Sequence, residues 1–291
     1  MKLSSKHTAT AALGLITMVG FGTAAIASGN HTDVDDSTIA EQRAMLAKNT
    51  EDKGFGPQAP RDIGQTAGNN DVVFTTAPAF GEMNLCNIHF HESAEHKGGQ
   101  FTKSAGNGDG EGNGGGFEYN GAFTEAELAP IPAPIGVSDH GELEPGDTIE
   151  VHYVYSTAQI EPGPTLKSCL SDAINNPQLR VVAQVFALVN DSAALNFEDL
   201  TTLGVVNGYH QATGMISGLG TPVEYAGSTT GPKYNEEASP FQVTWSVHPE
   251  VAKLDINSVG KWLENNEFDE DHAHGIRNLV TNLELLSPIA N

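Results

Sequence analysis

"CNIHFHESAEH" (residues 86–96) puts three histidines, two glutamates and a cysteine into one short stretch. With Asn84 and Leu85 ahead of it, "NLCNIHFH" (84–91) reads as a β-strand, because apolar and polar residues alternate. Side chains on a strand point alternately to its two faces. Asn87, His89 and His91 therefore share one face, and Ile88 and Phe90 turn to the other to pack. Two imidazoles two residues apart on one face can chelate a single ion.

A tetrahedral catalytic metal site takes three protein ligands and keeps a fourth position open. "TIEVHYVYS" (148–156) supplies the missing one. It has strong strand propensity, and His152 stands in its middle among valines and tyrosines with Glu150 on the same face. A metal-bound histidine usually donates its other ring N–H to a carboxylate or an amide, which fixes the ring. Glu150 is the expected partner of His152 and Asn87 that of His89. Cys86 has two readings: a disulfide with Cys169, the chain's other cysteine, or a thiolate ligand three residues before His89. In an exported protein the even pair favours the disulfide.

Export is what the N-terminus implies. Lys2 and Lys6 precede an apolar, Gly/Ala-rich run, Ala11 to Ile26, and "AIA" at 25–27 suits a small-x-small cleavage site. Residues 1–27 are expected to be a signal peptide, leaving a secreted or periplasmic protein without a membrane span. The 291-residue chain carries a formal net charge of −23. Loss of Lys2 and Lys6 makes the remainder more negative, which argues against a nucleic-acid partner.

Along the rest of the chain strands dominate. Residues 28–36 are polar and expected to be disordered. Ser37 can cap a short helix, "TIAEQRAMLAKN" (38–49). "DVVFTTA" (71–77), "QLRVVAQVFALVN" (178–190) and "FQVTWSVHPE" (241–250) read as strands, and "FEDLTTLGV" (197–205) and "NSVGKWLEN" (257–265) hold short helices. The stretch 98–116 is rich in Gly, Asn and Asp and reads as a flexible loop; the tail, 272–291, reads as irregular. A second H-x-H, His272 and His274 in "FDEDHAHG", reads as a solvated segment. The expectation is one domain, residues 37–291, mainly β (α+β), with a central, mostly antiparallel sheet and short peripheral helices.

Two families resemble this pattern. In the cupins, H-x-H-x3-E is matched by His89, His91 and Glu95, and a later Pro-Gly before a histidine by Pro145, Gly146 and His152; that likeness implies a four-ligand iron or manganese site with Glu95 on the metal. The other resemblance is spread over more of the chain. "IHFHESAEH" is similar to the alpha-carbonic anhydrase signature H-F-H-x-x-S-E-H, and "IEVHYVY" to that family's E-x-H strand. "PQAPRDI" (57–63), "YAGSTTGP" (225–232) and "FQVTWSVHPE" follow in the family's order. The shorter spacing after "PRDI" and the "C-N-x-H-x-H…AEH" pattern resemble most the delta-type carbonic anhydrases and their bacterial relatives.

That resemblance implies one Zn2+ per chain (Co2+ or Cd2+ as substitutes), held by His89, His91 and His152, and reversible hydration of CO2 to bicarbonate by a metal-activated hydroxide. It implies that Thr229 orients the nucleophile through Glu95, that Thr230 flanks the bicarbonate, and that His96 is a hydrogen-bonding support rather than a ligand. The leucine that precedes the paired threonines in alpha enzymes is absent, so Thr229 and Thr230 can exchange roles. His140 and His210 are the candidate proton shuttles. Val182, Val185 and Leu203 are candidates for an apolar CO2 pocket. A relative that binds metal without catalysis is the remaining alternative.

Overall fold

A computed structural model describes residues 33–50, 62–66, 74–230, 238–276 and 289–290. The expected signal peptide, residues 28–32, "PQAPR" of the N-terminal motif and the start of "DVVFTTA" lie outside the described residues, as do the side chains of Thr229 and Thr230. The strands are β1 (Phe74–Thr75), β2 (Asn84–Glu92), β3 (Lys103–Asn107), β4 (Gly115–Glu118), β5 (Ile135–Ser138), β6 (Gly141–Leu143), β7 (Thr148–Ser156), β8 (Leu179–Val189), β9 (Leu203–Val206), β10 (Tyr209–Ala212), β11 (Val223–Thr230), β12 (Ala238–Asp255) and β13 (Ile289–Ala290). The α-helices are α1 (Asp36–Thr50), α2 (Phe197–Leu200) and α3 (Ile256–Glu264). No described helix is long and apolar enough to cross a membrane.

The centre is a five-stranded sheet in the order β11-β12-β8-β7-β2. Every neighbouring pair is antiparallel except β12 with β8, so the sheet is mixed and mostly antiparallel, as expected. β8, "LRVVAQVFALV", is buried at every position. Its nearly continuous apolar run is what a strand covered on both faces requires.

Each face carries its own core. On one, Ile88, Phe90, Ile149, Val151, Tyr153, Tyr155, Val182 and Phe186 pack under α2 and α3. The apolar positions of α3 recur at helical spacing, with Ile256, Val259, Trp262 and Leu263 buried, and Asp255 caps it by accepting from the Asn257 N–H. On the other face, Cys86, Val154, Val181, Ala183, Val185, Tyr225 and Trp245 form a second cluster. Cys86 and Cys169 are disulfide-bonded, so no thiol is free to act as a ligand.

Three expectations are corrected. The glycine-rich stretch is not a loose loop but a β3–β4 hairpin. Gly108, Gly110, Gly112 and Gly114 all have positive φ, a conformation glycine adopts without strain, and Asp109 ties the turn by accepting from the N–H groups of Glu111 and Asn113. Residues 33–36 are held against this hairpin: Val34 N–H donates to Gly108 O, and Asn107 Nδ2 donates to Val34 O and to Asp36. The tail is not irregular throughout, because β13 pairs in parallel with β1. Both β9–β10 and β5–β6 are hairpins that the sequence pattern did not announce.

Candidate metal centre

The register of β2 against β7 sets the site. Ile88 faces Tyr153 and Phe90 faces Val151, and that apolar pairing places His89 opposite His152 and His91 opposite Glu150 on the other face. A slip by one residue would send every one of these side chains to the wrong side. The ring centroids of His89 and His91 lie 5.2 Å apart, those of His89 and His152 5.2 Å, and those of His91 and His152 4.7 Å. One ring nitrogen of each lies within 4.8 Å of the others, a set that could hold a metal ion.

Each ring uses its remaining nitrogen to bond the protein. His89 Nδ1–H donates to Oδ1 of Asn87 (2.6 Å), His91 Nδ1–H to the main-chain oxygen of Gly275 (2.8 Å), and His152 Nε2–H to Oε1 of Glu150 (2.8 Å). By elimination, Nε2 of His89, Nε2 of His91 and Nδ1 of His152 are left with lone pairs for the common centre. Asn87 and Glu150 are thus where the strand alternation put them. The partner of His91 is a carbonyl that leaves no mark in sequence.

Burial first, then repulsion from His152 and His91 in turn, hold His89 well below the usual imidazole range; burial likewise lowers His91 to about 3. Both rings are therefore neutral at physiological pH, as ligands must be. Glu150 is fully buried; burial would raise its carboxyl, but His96 and His152 outweigh that and hold it well below the usual carboxylate range. It accepts from His96 Nδ1–H (2.6 Å) and from the His96 main-chain N–H (3.1 Å) as well as from His152. Tyr225 O–H donates to Nε2 of His96. His96 is thus a hydrogen-bonded support, and Tyr225, four residues before Thr229 on β11, extends the chain of bonds behind the site.

Glu95 is buried and close enough for its charge to act on both His89 and His91, yet it is not in the converging histidine set. Four-ligand binding of the cupin kind would need it there. The main chain of β11 pairs with β12 at Ser228 and Thr230, and the register shifts between them, at Thr229.

His274 departs from expectation. Its side chain is solvated as expected, but its main chain bonds the open edge of β2, with its N–H donating to Phe90 O (2.8 Å) and its carbonyl accepting from Glu92 N–H (3.1 Å). Its ring lies 5.2 Å from that of His89 and 5.8 Å from that of His91, and it remains about half exposed, accessibility 46 %. The side chains of His272 and His274 are equally exposed, 47 % and 46 %, as expected of the segment. The two expected proton-shuttle candidates, His140 and His210, face Asp109 and Glu161 instead.

The pocket candidates divide by strand parity. Val185 belongs to the cluster on the histidine face, whereas Val182 and Leu203 pack on the opposite one. Trp245 lines the histidine face, its ring 5.1 Å from that of His152 and 5.0 Å from that of His96. In the sequence it is visible only as part of the "FQVTWSVHPE" motif.

The family model for delta carbonic anhydrase matches residues 80–258. A solved structure, the Photobacterium profundum alpha-carbonic anhydrase, is 13% identical, with 85% of this chain and 95% of that chain covered and a TM-score of 0.27. No curated protein matches the chain.

Proposed function

The chain belongs to the delta carbonic anhydrase family, and from that premise we propose that it is an exported zinc enzyme that reversibly hydrates CO2 to bicarbonate. The observation that carries this reading is the division of labour within each imidazole, one nitrogen bonded to the protein and one directed to a shared centre. A neutral three-histidine donor set suits zinc and leaves room for a fourth partner. When bound, zinc acidifies a water in that open position to a pKa of about 7, which supplies the nucleophile at neutral pH.

The chain's own residues do the rest. Asn87, the Gly275 carbonyl and Glu150 hold the three rings in the tautomers that binding needs. Glu150 keeps its charge because His96 and His152 donate to it. The family resemblance assigns Thr229, acting through Glu95, to orienting the attacking water, and Thr230 to flanking the product. Val185 and Trp245 form the apolar wall that CO2 meets. The Cys86–Cys169 disulfide suits an exported protein.

Metal analysis with a stopped-flow CO2 hydration assay tests the proposal. The expected result is one zinc per chain and hydration that rises with zinc occupancy and is blocked by a sulfonamide. A chain that carries one zinc and hydrates no CO2 would reduce the function to metal binding. Loss of metal in Glu95→Gln would return Glu95 to the metal and favour the cupin reading; retained metal with slowed hydration fits a Glu95 that acts through Thr229.

A further inference from the structure

We propose that the glycine-rich β3–β4 hairpin is a positioning clamp that holds the Gly275 carbonyl on His91. This rests on the reading of His91 as a metal ligand. Asn87 and Glu150 orient their histidines from within the two strands that carry those histidines. His91 depends instead on a main-chain oxygen from the C-terminal segment, and such an acceptor is only as fixed as the chain that bears it.

That segment is gripped from two sides. On one, His274 bonds the edge of β2. On the other, Ile276 N–H donates to Gly112 O of the hairpin (2.6 Å). The two backbones approach too closely for a side chain at Gly275, where a Cβ would lie 2.7 Å from both the Gly112 main-chain O and the Asn113 Oδ1, and the Ile276 side chain reaches over Gly116, where a Cβ would lie 2.3 Å from its Cδ1. Real Cβ atoms are not found that close to a main-chain oxygen, so the contact requires glycine at 275.

The hairpin turn is itself rigid. Asp109 Oδ1 accepts from the N–H groups of Glu111 (2.8 Å) and Asn113 (3.0 Å), Oδ2 accepts from Asn113 Nδ2 (2.8 Å), and Asp109 N–H donates to Asn113 O (2.9 Å). Behind it stands the N-terminal segment: Asp33 Oδ1 accepts from Gly108 N–H (3.0 Å), and Gln42 Nε2 donates to Gly110 O (2.7 Å). A continuous line of contacts therefore runs from Asp33 and α1 through the turn to Gly275 and His91. The stretch whose composition suggests looseness is the part that fixes a ligand.

The test uses the full mature chain, stripped of metal and titrated with Co2+ and, against a competing chelator, with Zn2+. Two variants loosen the same contact from opposite sides, Asp109→Ala in the turn and Gly275→Ala in the segment, so either one that folds suffices. Each is expected to weaken metal affinity about tenfold, the low end of the range for partners that orient ligands, and to shift or broaden the His91 Nδ1–H proton resonance. Lys103→Ala, at the far end of the hairpin where its ammonium pairs with Glu118, is expected to leave both unchanged.

Wild-type affinity and an unmoved His91 resonance in a folded Asp109→Ala or Gly275→Ala would overturn the clamp. The resonance is read in metal-free protein. A wild type that binds no metal would therefore overturn the metal site while the resonance still decided whether the hairpin holds the hydrogen bond.

Discussion

The two faces of β7 are equally buried and differ in everything else. Ile149, Val151, Tyr153 and Tyr155 enter the larger apolar cluster. One residue out of phase, Glu150 and His152 are just as inaccessible, but sit in a line of hydrogen bonds from Tyr225 through His96 to the histidine cluster. Burying apolar area stabilises by about 25 cal/mol per Å2, whereas burying a carboxylate destabilises unless partners restore what water gave it. Glu150 has three such bonds. The first face therefore holds the protein together, and the second, on the proposed function, is kept for the metal.

If that division is right, the largest separable effect belongs to His152→Ala. It should abolish stoichiometric zinc binding and reduce CO2 hydration to the uncatalysed rate, while the metal-free variant, with Glu150 keeping only its two bonds from His96, loses about 1–3 kcal/mol of stability. Its neighbour Tyr153→Ala should do the converse. Losing a fully buried aromatic costs about 3–5 kcal/mol of stability by denaturant titration, and zinc affinity in the protein that remains folded should hold. A Tyr153 variant that lost zinc selectively would break the contrast between the faces.

Asn87→Ala is milder. Removing the acceptor of His89 should weaken zinc affinity about 10–100-fold, read by chelator competition, with little change in melting temperature. No change in affinity would mean that the register of β2 against β7 orients His89 unaided.

The last contrast sharpens the rule about buried carboxylates, with an effect that vanishes near pH 4. Asp147 precedes β7 by one residue, three before Glu150, yet the two are shifted in opposite directions. Burial, with the nearby charges of Glu92, Glu144 and Glu118 adding to it, raises Asp147 to about 7, although the Glu144 N–H donates to it. Lys103 lies in the same cavity but is paired with Glu118. A carboxyl raised above its ordinary value of 3.8 contributes stability below that pH and loses it as the pH rises through the folded-state value. Asp147→Asn should therefore be nearly neutral near pH 4 and increasingly stabilising toward pH 8, measured as the difference in unfolding free energy. A flat difference across that range would show that Asp147 is not held in its protonated form.

The strand alternation was enough to place Asn87, His89, His91, Glu150 and His152 on common faces, because period-two patterning is local and each strand carries its own. The Cys86–Cys169 pairing was likewise legible, from the cysteine count and the export expected from the N-terminal sequence. Val182 was not. In a run as uniformly apolar as β8, parity is invisible, and only the pairing of Ala183 with His152 shows that Val182 looks away from the site. The glycine-rich stretch misled for a related reason: composition records how many conformations a glycine can reach, not that neighbouring backbones select one.

What the amino-acid sequence determined by itself was the candidate donor set: three histidines with an amide and a carboxylate beside them, on strands whose alternation fixes their side. What only the tertiary structure decided was convergence. It set which residues of β2 and β7 stand opposite, brought the Gly275 carbonyl to His91 and carried His274 from an acidic tail to the edge of the cluster. Those contacts are made by main-chain groups that every residue possesses, so no residue type announces them, and they exist only once distant backbones have packed together.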